Sequence, residues 1–266
     1  GSMQGRTILI TGASGGLGEE FARRLADDNT LILVARREDR LKKIQKSLAR
    51  KARRVHILSL DLSQPGSAEK IFKQVRKLGL QVDFLINNAG YGYYGQFQKQ
   101  DSREIEEQIR LNCASLASLS GLFGQSMAQR KSGLILNVAS IQGFLVLPFY
   151  SVYAATKAFV VNFSLALRAE LKSQGVVVSC LCPGYTSTEF AQVAHARDKR
   201  ARSVLGEMKT EDVVRYALER AGASILISWI SQPFDGFQLQ VFSANPLCLD
   251  RAMASQTILI RIFPPF

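Results

Sequence analysis

Histidine is scarce in this sequence and cysteine is scattered, and both shortages narrow its chemistry. The two histidines, His56 and His195, are too few and too far apart for a histidine-based metal centre. The four cysteines (Cys113, Cys180, Cys182 and Cys248) show no CxxC spacing, which favours reduced thiols over a disulfide framework or a zinc site. No metal is expected. No apolar run reaches the roughly 18 residues of a membrane-spanning helix, so no transmembrane segment is expected. No tandem repeat or low-complexity linker interrupts the chain. The opening Gly1-Ser2-Met3 reads as an expression scar before a native Met3. Charge and a glycine loop follow at once, so no secretory leader is expected and the expected compartment is the cytoplasm.

Acidic residues are also outnumbered, by 34 Lys/Arg to 22 Asp/Glu, and the formal net charge is +12. Residues 36–54 alone carry ten of the basic residues against two acids. No aromatic residue interleaves with that run, which argues against single-stranded nucleic-acid binding. The run reads as a solvated helix face, and no nucleic-acid partner is expected. A second basic segment, RDKRAR at 197–202, would attract an anionic substrate group if it formed a mobile lid.

What the chain does have is alternation. Apolar runs at 7–11, 30–35, 55–61, 82–88, 134–140, 176–183 and 224–229 are separated by helix-like segments. Those segments run to about 28, to about 51, over 68–78, from 102, over 151–173 and over 210–221. Continuous apolar strands between helices predict an α/β fold: a doubly wound parallel sheet of about seven strands covered on both faces. Ligands of such sheets bind at the carboxyl ends of the strands.

The first strand runs into TGASGGLG, residues 11–18. Gly12, Ser14, Gly15, Gly16, Leu17 and Gly18 would form a tight turn that opens a helix. Glycine permits the turn and a close backbone approach, and the helix N-terminus supplies N–H groups and positive potential for a phosphate. The spacing is not GxGxxG, and no GK[ST] follows, which disfavours a P-loop. A dinucleotide is therefore expected. The second strand ends without the carboxylate that would bind a ribose 2′-hydroxyl; Arg36 and Arg37 stand there instead. Their guanidinium groups suit a 2′-phosphate, so NADP(H) is the expected cofactor. The other reading is that these arginines only begin the basic helix. At the end of the third strand, Asp61, followed by Leu62, would receive the adenine amine or else cap a turn before Ser63.

In SVYAATKAFV, residues 151–160, Tyr153 and Lys157 lie four apart, on one face of a helix. With the glycine loop, Asn87-Asn88-Ala89-Gly90, Ser140 thirteen residues before Tyr153, and Pro183-Gly184 all in order, the chain resembles the short-chain dehydrogenase/reductase family over roughly residues 5–229. The resemblance implies a single Rossmann-type domain, residues 3–229, and hydride transfer between a nicotinamide dinucleotide and an alcohol or carbonyl. It implies Tyr153 as general acid/base, Lys157 as its activator, Ser140 as holder of the substrate oxygen, and Asn112 as an anchor for a proton-relay water. Asn88, Ala89 and Gly90 would shape the ribose side of the cofactor pocket. Pro183, Gly184, Thr186 and Thr188 would meet the nicotinamide, and Tyr153 and Lys157 would also touch the cofactor. A free tyrosine has a pKa of about 10, and the Lys157 ammonium is expected to lower it by about two to three units.

The loops YGYYGQF (91–97) and IQGFLVLPFY (141–150) predict a mostly apolar ketone or aldehyde substrate. The leading expectation is an NADPH-dependent carbonyl reductase. A 3-oxoacyl-thioester reductase and a non-catalytic NADP-binding sensor are the alternatives. By the same resemblance, the helices near 102–130 and 151–173 would form a homodimer or homotetramer interface. Residues 230–266 show neither helical nor strand periodicity. They are expected to be a further part of the same domain, an oligomer arm, or a poorly ordered tail.

Overall fold

The computed structural model describes residues 4–186 and 208–228. Seven parallel strands form one sheet in the order β3-β2-β1-β4-β5-β6-β7. They are β1 (Thr7–Thr11), β2 (Thr30–Ala35), β3 (Arg54–Ser59), β4 (Phe84–Asn87), β5 (Gly133–Val138), β6 (Val176–Pro183) and β7 (Ile225–Ser228). The helices among the described residues are α1 (Gly16–Arg24), α2 (Glu38–Leu48), α3 (Ser67–Lys77), α4 (Ser102–Ile109), α5 (Leu116–Gln129), α6 (Ser151–Lys172) and α7 (Thr210–Glu219).

The strand alternation decides which helices cover which face. Ile8 and Ile10 of β1, with Leu31 and Leu33 of β2, pack with α1, α2 and α7 through Phe21, Leu41, Ile44 and Val214. Leu9, Ile32 and Val34 point the other way, onto Ile71 and Val75 of α3 and Leu119, Phe123 and Met127 of α5. Each central strand is therefore apolar on both sides, which is why its sequence reads as an unbroken apolar run. The strand order reverses between β1 and β4, and the loops that diverge there leave a crevice at the carboxyl edge.

Local chemistry sets the element ends. Asp101 caps α4 by accepting from the Arg103 N–H at 2.7 Å. Beyond α3, Gly79 takes a φ of 69°, and the N–H groups of Gly79 and Leu80 return to the carbonyls of Arg76 and Val75. Three helical expectations are corrected. Helix α1 stops at Arg24, short of 28, because the chain turns back and Asp28 adopts a φ of 60° while pairing with Arg53. Helix α2 ends at Leu48, where the N–H groups of Lys51 and Ala52 close a turn on the Leu48 carbonyl. The helix from 102 is not continuous: Arg110–Ser115 forms a π-helical stretch between α4 and α5. The basic segment at 197–202, Thr188 and the tail 230–266 lie outside the described residues.

Candidate active site

The glycine loop leaves β1 at its carboxyl end and is shaped by clearances that only glycine satisfies. A Cβ on Gly18 would lie 2.2 Å from the Gly12 carbonyl oxygen, and one on Gly12 would lie 2.8 Å from Asn88 Nδ2. Gly12 and Gly16 adopt φ values of 65° and 55°. Gly15 precedes α1 without a side-chain cap, so the helix presents its first backbone N–H groups uncapped by the protein's side chains. Ser14 and Leu17 are buried within this turn.

One threonine joins the loop to the Asn-Asn-Ala-Gly turn. Thr11 Oγ1 accepts from the backbone N–H groups of Asn88 and Ala89, both at 2.9 Å. Asn88 Nδ2 donates to the carbonyls of Thr11 (3.0 Å) and Gly12 (3.3 Å). Sequence reasoning missed Thr11, although its signal, the hydroxyl that opens the glycine motif, was visible. Gly90 comes next. A Cβ there would lie 3.0 Å from Asn112 Oδ1 and 3.4 Å from Lys157 Nζ.

The two arginines after β2 take different positions. Arg37 Nε and Nη2 donate to Ser14 Oγ at 3.3 and 3.2 Å, holding the guanidinium over the glycine loop. Arg36 is exposed, and its charge reaches Asp61 and Tyr91. Both residues precede α2, and Arg37 also reaches the glycine loop. Asp61 serves the turn, since its Oδ1 accepts from the Ser63 N–H (2.9 Å) and hydroxyl (2.7 Å). Burial pushes its carboxyl up, but these bonds and the Arg36 charge outweigh that and hold it below the usual range. The buried Leu62 offers its carbonyl to Ser67 and Ser115.

Across the crevice, Ser140, Tyr153 and Lys157 converge. Ser140 follows β5 and caps a short 3-10 turn, its Oγ accepting from the Gln142 N–H at 3.1 Å. The same hydroxyl faces the Tyr153 phenol and acts to lower its pKa. Lys157 lies one helical turn on, with Nζ 5.6 Å from the Tyr153 ring centroid. Tyr153 is 6% exposed and Lys157 4%. Asn112 sits in the π-helical stretch and is locked on three sides. Its Nδ2 donates to the Tyr91 carbonyl (2.9 Å) and to Thr156 Oγ1 (3.0 Å), and its Oδ1 accepts from the Tyr91 N–H (3.1 Å). Thr156 Oγ1 in turn donates to the Tyr153 carbonyl at 2.8 Å. Thr156 and Tyr91 were not anticipated from the sequence, although Thr156 lies inside the same Tyr-to-Lys motif.

The ionisation differs from expectation. Burial pushes the Tyr153 phenol well above its ordinary value, against the smaller lowering effect of the Ser140 hydroxyl. Burial also brings the Lys157 amine down to about 8. The ammonium does not lower the tyrosine in the protein alone, because both groups lie in the same desolvated space. Beneath Lys157, Cys180 and Cys182 place their sulfurs 3.8 Å apart. Their hydrogen bond holds the Cys180 thiol down and pushes Cys182 up.

At the end of β6, Pro183 pairs with Ser228, and Gly184 follows half-buried. Thr186 forms an isolated parallel bridge with Met208. The structure thus gathers Gly12 to Gly18, Asn88 to Gly90, Asn112, Ser140, Tyr153, Lys157 and Gly184 along one carboxyl edge. Among the described residues no cluster of His, Cys, Asp or Glu could hold a metal ion.

Comparison with known proteins extends this picture. The family model for short chain dehydrogenases matches residues 6–199. Ketoacyl reductase HetN of Nostoc sp. is 34% identical over 254 residues, covering 94% of this chain and 88% of the relative. Very-long-chain 3-oxoacyl-CoA reductase of Rattus norvegicus is 30% identical over 246 residues, covering 86% and 78%. Among solved structures, a short-chain dehydrogenase from Sphingobium yanoikuyae in complex with NADPH superposes with a TM-score of 0.77 at 32% identity, covering 84% of this chain and 87% of that one.

Proposed function

Because the chain belongs to the short-chain dehydrogenase family, we propose that it is an NADP(H)-dependent oxidoreductase that interconverts a mostly apolar ketone or aldehyde and its alcohol. The observation that carries this reading is the convergence of Ser140 with the buried Tyr153 and Lys157, whose Nζ lies 5.6 Å from the Tyr153 ring, at the carboxyl edge of the sheet.

The residues fit the cofactor. The loop from Gly12 to Gly18 excludes side chains where a pyrophosphate must approach the backbone. Arg37, held over Ser14, and Arg36 beside it offer two guanidinium groups to a 2′-phosphate. On this reading Asp61 and Leu62 would border the adenine, and Asn88, Ala89, Gly90, Lys157, Pro183, Gly184 and Thr186 would line the rest of the cofactor; Thr188, the remaining expected contact, lies outside the described residues. When bound, the nicotinamide supplies or accepts the hydride.

The protein's own task is the proton. Burial keeps Tyr153 neutral, so in the reductive direction it is ready to donate its phenolic proton to the substrate oxygen. Ser140 donates to the same oxygen as negative charge develops there. Lys157 stabilises the phenolate that results. Asn112 fixes the Tyr91 backbone and, through Thr156, the first turn of α6, and so supports the route by which Tyr153 recovers a proton.

A second reading, reduction of a 3-oxoacyl thioester, draws on the names of the similar reductases. Its reacting carbonyl is also a ketone, so the same Ser140–Tyr153 pair would serve it. The protein should be titrated with NADPH and NADH, then assayed on ketones and on a 3-oxoacyl thioester beside Tyr153→Phe. We expect tighter NADPH binding and activity that the substitution abolishes. Cofactor binding without turnover of any carbonyl would favour a sensor, and no binding would overturn the proposal.

A homodimer or homotetramer through α4 and α6 belongs to the same reading. Phe97, Ile109, Phe159 and Leu165 are exposed there. An apolar cavity of about 510 Å³ lies between these helices, lined by Phe97, Ile105, Ile109 and Val152 among others. Light scattering on Ile109→Glu tests it; an unchanged mass would sink it. The free thiols of Cys113, Cys180 and Cys182 suit a reducing compartment such as the cytoplasm. Among the described residues no helix is long and apolar enough to cross a membrane.

A further inference from the structure

A line of aromatic rings leads from the surface to the reacting phenol. Phe149 lies 5.9 Å from Tyr94, Tyr94 lies 4.8 Å from Tyr150, and Tyr150 lies 6.3 Å from Tyr153, centroid to centroid. Burial deepens along it: Phe149 is 48% exposed, Tyr94 and Tyr150 are half-buried, and Tyr153 is 6% exposed. The rings come from two loops, one after β4 and one after β5. These loops are tied together where the Gly95 N–H donates to the Phe149 carbonyl at 2.9 Å. The Tyr93 ring packs close over Gly95, where a Cβ would lie 2.8 Å from the Tyr93 hydroxyl.

Phe149 is the informative residue. Its φ is 66°, in the left-handed region that a bulky side chain avoids. Such strain persists where the surrounding structure enforces it, and it concentrates at ligand clamps. Burial does not offset the strain, since the residue is about half exposed. Three residues away on the same loop Val146 is 99% exposed.

We infer that Phe149, Tyr94 and Tyr150 form an aromatic clasp that selects carbonyl substrates bearing a planar aryl substituent over those bearing a linear alkyl or acyl chain. The inference rests on the carbonyl-reductase reading and names the substrate class of that site. The physical basis is specificity of geometry. A planar ring gains edge or offset-stacked contacts with aromatic neighbours beyond its buried area, and an alkyl chain gains the area alone. The neighbouring centroids of the clasp are spaced 4.8 and 5.9 Å apart, within the range such contacts use.

The experiment compares the full chain with Tyr94→Ala, Tyr150→Ala and the conservative Tyr94→Phe and Tyr150→Phe. The substrates are an aryl methyl ketone, a linear methyl ketone of equal carbon number, and a straight-chain 3-oxoacyl thioester, each with NADPH. Calorimetry of the aryl ketone with the NADP⁺-loaded protein gives binding without turnover. The wild type is expected to favour the aryl ketone. Each alanine substitution should lower its kcat/KM and affinity about tenfold, near the upper end of what one aromatic pair supplies, while the linear ketone changes less than about twofold. The phenylalanine variants should stay near wild type. Equal losses on both ketones, or a wild-type preference for the linear ketone or thioester, would overturn the clasp and leave the reductase reading intact. Turnover of no carbonyl at all would overturn both.

Discussion

Lys157 Nζ donates a 2.9 Å hydrogen bond to the backbone carbonyl of Val138, the last residue of β5. Helix α6 is thereby pinned to the strand that delivers Ser140 two residues later. The tie holds a cation in a buried place, and burial brings the amine from its ordinary 10.5 down to about 8.

That shift predicts a pH dependence of stability. Folding disfavours the charged amine, so unfolding takes up a proton between about pH 8 and 10.5. Stability then rises as pH increases across that window. Cys113, raised by burial from 9.0 to about 11, and Tyr153, raised above 10.0, act in the opposite sense above about pH 9 and pH 10 respectively. Between pH 8 and 10 the melting temperature of the cofactor-free protein should therefore carry a rising contribution from Lys157. Lys157→Met should remove that contribution. A wild-type and a variant profile of the same slope would refute the assignment.

Thr156 links two residues of the site, accepting from Asn112 and donating to the Tyr153 carbonyl. Thr156→Val keeps the branched shape but leaves the Asn112 amide with one partner fewer in a buried place, at a cost of about 1–3 kcal/mol. We expect a lower melting temperature and a kcat reduced at least tenfold, with the NADPH Kd within about twofold of wild type. Thr156→Ser should recover most of the rate. An equal fall in both valine and serine variants would mean that the methyl group matters and the hydroxyl does not.

Much of this arrangement was legible in the sequence. Strands β1, β2 and β6 keep the bounds that their apolar runs suggested, because the apolar run itself marks the buried length of each strand. The site residues were legible because their spacing is itself the chemistry: one helical turn from Tyr153 to Lys157, and glycines where backbone must meet backbone. What escaped depends on tertiary contact. The π-helical stretch at Arg110–Ser115 has no periodic signature of its own. Thr11 looked like a strand residue until Asn88 and Ala89 folded onto it. The direction of the Tyr153 shift follows from burial, which no pair of residues in a sequence specifies.

Cofactor choice should rest on the guanidinium groups after β2. Arg36→Asp places a carboxylate where a 2′-phosphate would otherwise be welcomed, and adds repulsion to the lost attraction. Hydrogen bonds to charged groups are worth about 1.5–3 kcal/mol, so NADPH affinity should fall roughly ten- to a hundredfold. NADH affinity should hold or improve. Arg37→Ala removes a guanidinium bound to Ser14 as well, so it should also loosen the glycine loop. Fluorescence titration with both cofactors distinguishes the two effects. An unchanged NADPH-to-NADH ratio in Arg36→Asp would show that Arg36 only begins α2.

Two glycine-to-alanine changes should move stability in opposite directions for reasons visible in the backbone. At Gly18 the added Cβ would lie 2.2 Å from the Gly12 carbonyl oxygen and 2.7 Å from Asn88 Nδ2. Neither the backbone turn nor the Thr11-clamped asparagine can yield without opening the loop. Gly18→Ala should therefore cost about 1–3 kcal/mol as an overpacked contact, and should weaken NADPH binding more than any surface change. Gly121 lies within α5, and a Cβ there would meet nothing within 4 Å. Gly121→Ala gains helix propensity of about 1 kcal/mol, which should raise the melting temperature by roughly 2–4 °C in a chain of this size. Thermal melts of the two variants side by side, each with and without NADPH, check both signs. If Gly18→Ala kept wild-type stability and cofactor affinity, the glycine loop would not be the close-fitting turn that the Gly12–Gly18 contact describes.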